Sequence, residues 1–152
     1  MRTNQAGIDL IKRWESFRAK PYICPTGHPT IGFGTTYYPN GVKVKLTDLP
    51  ISLQKANDLL QYDLLKFEKE VSNAVKVKLT ENQFSALVSW TYNLGAGSLR
   101  RSTMLKKINI SPNDPSIAVE LKRWNKGKIN GVFQILPGLV SRRKDEADLY
   151  FK

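Results

Sequence analysis

The chain has 152 residues, enough for one compact domain of two lobes, since folding at this size buries roughly 68–70% of the unfolded surface. Twenty-four Lys and Arg against 13 Asp and Glu leave a net charge of +11, which predicts attraction to a polyanion: nucleic acid, an anionic membrane surface or an acidic cell envelope. The single Cys24 excludes an intrachain disulfide, and the single His28 leaves too few ligands for a structural zinc site. No apolar run approaches the roughly 18 residues a membrane span needs, and the opening stretch lacks the apolar core of a secretory signal, so a soluble protein is expected.

Ile8, Ile11, Trp14 and Phe17 recur at three- and four-residue spacing, which predicts a short amphipathic helix ending near Arg18 with Glu15 in its last turn. From Tyr22 to Val44 that period is lost. Gly27, Gly32, Gly34 and the Pro39-Asn40-Gly41 turn alternate with Ile31, Phe33, Tyr37 and Val42, predicting a small, turn-rich antiparallel sheet. Ser52 caps a longer helix on which Leu53, Ala56, Leu60, Leu64, Phe67, Val71 and Val75 hold a 3–4 spacing. Thr80 and Gln83 fit a capping box opening a helix from Glu81 to Asn93, the most buried of all, which Gly95 terminates. Further helices are expected at Thr103–Asn109, Ser116–Trp124 and Pro137–Tyr150, the last with Pro at its first turn. The expected class is α+β, with the hairpin lobe at about residues 1–51, a connecting helix at about 52–76 and an all-helical lobe at about 77–152.

A carboxylate at the end of an apolar-faced helix, followed by a Gly-rich hairpin, suits acid/base chemistry, because apolar surroundings raise a Glu pKa toward working pH. Trp14 and Phe17 flank Glu15. Taken alone, however, Glu15 reads as a solvated residue balancing Lys12 and Arg18. Cys24 alone reads as a small buried hydrophobe, Tyr22 as packing under the hairpin, and His28 as an exposed turn residue.

The run from Glu15 to Gly34 changes that balance. Eight residues separate Glu15 from Cys24 and five separate Cys24 from Thr30, with Thr-Ile-Gly-Phe-Gly following. This resembles the active-site signature of the phage-type, T4-like lysozyme/endolysin family, in the variant with Cys where many relatives carry Asp. Leu79–Gly95, Ser102–Leu105, Trp124–Lys126 and Pro137–Arg143 resemble further blocks of the same family, so the likeness spans almost the whole chain.

The resemblance implies a lysozyme-like fold whose cleft between hairpin and helical lobes is crossed by the long helix. It also implies a monomeric muramidase, without metal or cofactor, that hydrolyses the β-1,4 bond between N-acetylmuramic acid and N-acetylglucosamine of peptidoglycan. Glu15 would then protonate the leaving oxygen, while Thr30 holds a water and Cys24 serves the opposite face of the sugar. An unperturbed thiol, with pKa near 8.5, is only about 3% ionised at pH 7. As a thiolate, Cys24 could act as base on a water, giving inversion, or attack the sugar, giving retention; the Asp of relatives favours water activation by analogy.

The basic clusters at Arg100-Arg101, Lys106-Lys107, Lys122-Arg123, Lys126, Lys128 and Arg142-Arg143-Lys144 read either as a solvated helical surface or as attraction to anionic cell-envelope polymers. A nucleic-acid-binding helical domain would use the same charge with Trp90 and Trp124, but leaves the Glu15, Cys24, Thr30 spacing unexplained, so no nucleic-acid partner is expected. An inert wall-binding module on the same fold would bind peptidoglycan and release no reducing ends. The setting the resemblance implies is lysis of a host cell, with accumulation in the host cytoplasm and release to the periplasmic wall through membrane lesions made by a holin-type partner.

Overall fold

The computed structural model describes residues 1–152. In chain order the elements are α1 (Gln5–Glu15), β1 (Arg18–Ile23), β2 (Pro29–Gly32), α2 (Leu53–Ala74), α3 (Glu81–Leu94), α4 (Ala96–Arg101), α5 (Thr103–Ile110), α6 (Ile117–Lys122), β3 (Lys126–Ile129), β4 (Val132–Ile135) and α7 (Pro137–Tyr150). The class is α+β, with two separate two-stranded antiparallel sheets. Contacts divide the chain into two compact units, Ile11–Lys66 and Met1–Leu10 with Phe67–Lys152. Both α1 and α2 contribute residues to each unit. No helix is long and apolar enough to cross a membrane.

In the smaller unit, α1 stops at Glu15 rather than near Arg18 because Ser16 adopts a left-handed φ of 62°. The freed chain becomes β1, pairing antiparallel with β2 in the register Arg18↔Gly32, Tyr22↔Thr30 and Ile23↔Pro29, with an irregularity between Arg18 and Tyr22. Isolated bridges Ile31↔Thr35 and Tyr37↔Lys43 extend this turn-rich region as the glycine spacing predicts. Gly32 sits at φ 68° with the Ala56 Cβ 3.3 Å from where its own Cβ would stand, so a side chain there meets both strain and the α2 surface. Ser52 Oγ accepts from the Lys55 N–H at 3.0 Å, capping α2. The core is Ile31, Val44 and Leu59, with Tyr38 and Ile51 packed on it. Along α2, Ala56, Leu60, Leu64 and Val71 are buried as spaced, whereas Leu53 in the first turn is exposed.

The larger unit is built on α3, every residue of which from Gln83 to Thr91 is buried. Its capping box is complete: Gln83 N–H donates to Thr80 Oγ1 at 3.1 Å and Thr80 N–H donates to Gln83 Oε1 at 2.9 Å. Gly7 of α1 lies so close to α3 that an added Cβ would stand 2.6 Å from the Ser85 Cβ. Behind α3 lies a buried charge cluster: Glu146 Oε2 is 2.7 Å from Arg143 Nε, while Glu146 Oε1 is 3.3 Å from Arg142 Nε and accepts from Ser89 Oγ at 2.8 Å. The expected Ser116–Trp124 helix narrows to Ile117–Lys122, and α4 was not anticipated.

This unit is not all helix. Lys126–Ile129 and Val132–Ile135 form a second hairpin around Asn130 and Gly131, at φ 50° and 78°. Asn-Gly with both residues at positive φ makes the turn whose twist matches paired strands. The signal in the sequence is the Asn130-Gly131 dipeptide itself, because KGKI and VFQI do not alternate strictly and four-residue strands fall below the window in which periodicity is decisive.

Candidate active site

Glu15, Cys24 and Thr30 all lie in the smaller unit, and elementary chain features place each of them. Glu15 is the last residue of α1, half-buried, where the left-handed Ser16 turns the chain into β1. Cys24 follows the last residue of β1. Its N–H donates to the His28 carbonyl at 3.0 Å and its own carbonyl accepts from Gly27 N–H at 2.8 Å, closing a tight turn that needs Gly27 at φ 86°. Thr30 is on β2, buried at 3% exposure, with its hydroxyl donating to the same His28 carbonyl at 2.9 Å.

The turn therefore brings Cys24 and Thr30 together. Burial pushes the Cys24 thiol up, but hydrogen bonds from the Thr26 and Thr30 hydroxyls and from the backbone of His28 and Thr26 outweigh it and bring the pKa from 9.0 to about 7. The Thr26 contact is 3.0 Å between Oγ1 and sulfur. Thr30 has one hydroxyl hydrogen and two acceptors in reach, the His28 carbonyl and the Cys24 sulfur, so it serves the sulfur only when the carbonyl releases it. His28 contributes its backbone; its side chain is exposed, as expected of a turn residue.

Tyr22 links Glu15 to this pair. It stands opposite Thr30 in the hairpin register, with the Arg18 guanidinium 4.3 Å from its ring centroid. Burial raises its phenol pKa first, the Glu15 charge raises it further, Arg18 opposes, and the Cys24 charge adds to the rise. Both anionic groups thus lie within Coulombic reach of one phenol. Local sequence points only to a packing role for Tyr22; its place opposite Thr30 follows from strand register, which is not visible before the hairpin is closed.

A second titratable residue of the unit has no motif in the sequence to mark it. Asp63 on α2 accepts from Thr35 Oγ1 at 2.6 Å, and burial raises its pKa from 3.8 to about 6 against the lowering effect of that hydrogen bond. Asp63 falls three residues after Leu60 on the inward face of α2, where a carboxylate is unusual.

The larger unit carries a separate pocket of about 470 Å³, walled by Trp124 and Phe133 with Arg101, Arg123 and Lys126 around it. Trp124 stands edge-on to the buried Trp90, centroids 5.3 Å apart, and the Arg101 guanidinium lies 5.6 Å from its ring centroid. Such a mix of aromatic faces and cations suits a polar ring bearing carboxylates. No group of three or more His, Cys, Asp or Glu is arranged to hold a metal ion.

Comparison with known proteins is consistent across sequence and fold. An endolysin of Acyrthosiphon pisum secondary endosymbiont phage 1 is 35% identical over 150 residues, covering 99% of this chain and 98% of that one. The endolysin from Escherichia coli O157:H7 phage FAHEc1 superposes with a TM-score of 0.90 at 37% identity, covering 99% of this chain and 93% of that one. The muramidase domain of SpmX from Asticaccaulis excentricus gives 0.85 at 30% identity, covering 99% and 98%. Residues 12–146 match the phage lysozyme family, so the lysozyme-like α+β fold and the hydrolase class follow: this chain belongs to the phage lysozymes.

Proposed function

We propose that Glu15, Cys24 and Thr30 are the catalytic centre of a muramidase that cuts the β-1,4 bond between N-acetylmuramic acid and N-acetylglucosamine, with Cys24 in the role that Asp fills in many relatives. Membership of the phage lysozymes makes the chain a peptidoglycan-hydrolysing enzyme of the endolysin type. The observation that carries the assignment of residues is the lowered thiol of Cys24, hydrogen-bonded beside Thr30 and sharing with Glu15 the electrostatic surroundings of Tyr22.

Glu15 donates its proton to the glycosidic oxygen as the bond to the anomeric carbon breaks. The Cys24 thiolate takes a proton from a water held by the Thr30 hydroxyl as that water's oxygen bonds to the carbon. Proton return from thiol to carboxylate through solvent closes the cycle. With a pKa of about 7, roughly half of Cys24 is already thiolate at pH 7. The pocket beside Trp124 belongs to the same reading as a contact surface for acetylated sugars and wall carboxylates. The excess of Lys and Arg supports attraction to anionic envelope polymers. Delivery through lesions made by a holin-type partner, after accumulation in the host cytoplasm, completes the proposal; periplasmic enzyme in cells without such lesions would overturn that last element.

The test is release of new reducing ends from purified walls, with the mass and anomeric form of the products. Glu15→Gln should lower the rate by about 10²–10⁴-fold while the protein stays folded. Cys24→Asp should keep activity if position 24 activates water. A covalent role instead predicts near-complete loss and a trappable glycosyl adduct in the wild type. Full activity of Glu15→Gln would end the assignment.

A further inference from the structure

The second hairpin is built as an outlying element. Its foot is closed by Leu136 N–H donating to the Asn125 carbonyl at 3.0 Å. There the chain leaves no room above Gly127, where an added Cβ would stand 2.6 Å from Leu136 Cδ1. Away from the foot the hairpin is bare: Ile129, Val132, Phe133 and Ile135 are 46%, 60%, 65% and 57% exposed, and every residue of β4 is solvent-facing. Paired residues share a face, so Lys128 sits beside Phe133 and Lys126 beside Ile135, while Ile129 and Val132 pair at the tip next to the Asn130-Gly131 turn.

The charge around it has one sign. No acidic residue occurs between Glu120 and Asp145, against seven Lys and Arg. Three of those seven are spoken for: Arg142 and Arg143 are buried against Glu146, and Lys144 pairs with Asp148 at 2.6 Å. Arg123 pairs with Glu120 at 3.1 Å while staying largely exposed, and Lys122, Lys126 and Lys128 are exposed. The one aromatic ring of the hairpin, Phe133, turns to the Trp124 pocket, and the branched aliphatic pair left at the tip, Ile129 and Val132, offers bases and sugars no flat face to stack on. They do fit the boundary between headgroups and acyl chains, where lysine stems also lie along apolar surface with the ammonium at phosphate level.

We propose that the tip of the β3–β4 hairpin is a peripheral docking element for an anionic phospholipid surface, with Ile129 and Val132 set among the headgroups and Lys128 at the phosphates, while Lys126 and Phe133 stay with the Trp124 pocket. The inference stands apart from the assignment of Glu15, Cys24 and Thr30, which lie in the other unit. It gives the enzyme a means of residing at a membrane face without a spanning helix.

The test is sedimentation of the whole protein with vesicles of equimolar phosphatidylglycerol and phosphatidylcholine, against phosphatidylcholine alone. Binding to the anionic vesicles that weakens with salt is expected. The double variant Ile129→Ser/Val132→Ser should bind at least about tenfold more weakly. Lys128→Glu should bind at least about fivefold more weakly. Both should melt as the wild type does and release reducing ends from lipid-free walls at the wild-type rate. Absence of wild-type binding to anionic vesicles at low salt, or unchanged binding by folded variants, would overturn the proposal. So would loss of binding to lipid-free walls in place of vesicles, which would assign the tip to glycan.

Discussion

Thr35 donates its hydroxyl hydrogen to Asp63 Oδ2 over 2.6 Å, joining the turn after β2 to α2 inside the smaller unit. Burial raises the Asp63 pKa from 3.8 to about 6, so the folded state holds this proton where the unfolded chain has released it. By linkage, stability conferred by protonated Asp63 is full below about pH 4 and declines as pH rises to about 6, a loss on the order of 2–3 kcal/mol. Asp63→Asn keeps an acceptor for Thr35 and cannot ionise, so thermal melts from pH 4 to 7 should show the wild type falling relative to the variant. A difference in Tm that stays constant across that range would refute the account.

Removing the donor should act in the opposite sense. Thr35→Val leaves the Asp63 carboxylate without the Thr35 hydroxyl, and a hydrogen bond to a charged group contributes about 1.5–3 kcal/mol. A loss of that size at pH 7 that shrinks toward pH 4, measured by urea unfolding, is the expected result.

Cys24 gives the activity a pH signature. If its thiolate is the base, kcat/KM should fall as pH drops below about 7, and Cys24→Asp should move that acid limb down toward the carboxylate range near pH 4. Alkylation by iodoacetamide reads the thiolate directly and should have its midpoint near pH 7. Thr26→Val, which deletes a hydrogen bond to sulfur, should shift that midpoint upward. A midpoint of 8.5 or above in the wild type would remove the basis for Cys24 as base.

Glu146 is the keystone of the charge cluster behind α3, fully buried with Arg142 and Arg143 beside it. Glu146→Ala removes the carboxylate that pairs with two buried guanidinium groups, leaving Arg143 its hydrogen bond to Asn93, and should cost about 3–5 kcal/mol. Denaturant unfolding measures it directly, and a loss below about 1 kcal/mol would show that water reaches the arginines.

Gly32 should resist substitution for two separate reasons, its φ of 68° and the Ala56 Cβ 3.3 Å from the position of an added methyl. Gly32→Ala is expected to destabilise by about 1–3 kcal/mol and, because it lies two residues from Thr30 on the same strand, to lower activity as well. Unchanged stability would show that α2 shifts freely to make room.

Local rules carried much of this molecule into view from its residues alone. The capping box at Thr80 and Gln83, the buried stripe of α3, the Ser52 cap and the Pro137 helix start are short-range features, decided within one or two turns of chain. The Glu15, Cys24, Thr30 spacing was legible for the same reason, being a property of one contiguous segment. Tertiary structure alone decided what those residues meet. The fold sets Tyr22 opposite Thr30 and within Coulombic reach of Glu15, and the Cys24 thiol drops to about 7 because a closed turn aims hydrogen bonds at it. Asp63 acquires its raised pKa by burial, and the second hairpin forms where four-residue strands are too short for periodicity to announce them. Propensity and spacing act over a few residues, whereas desolvation, register and charge coupling depend on which distant segments come into contact; those contacts exist only in the folded chain.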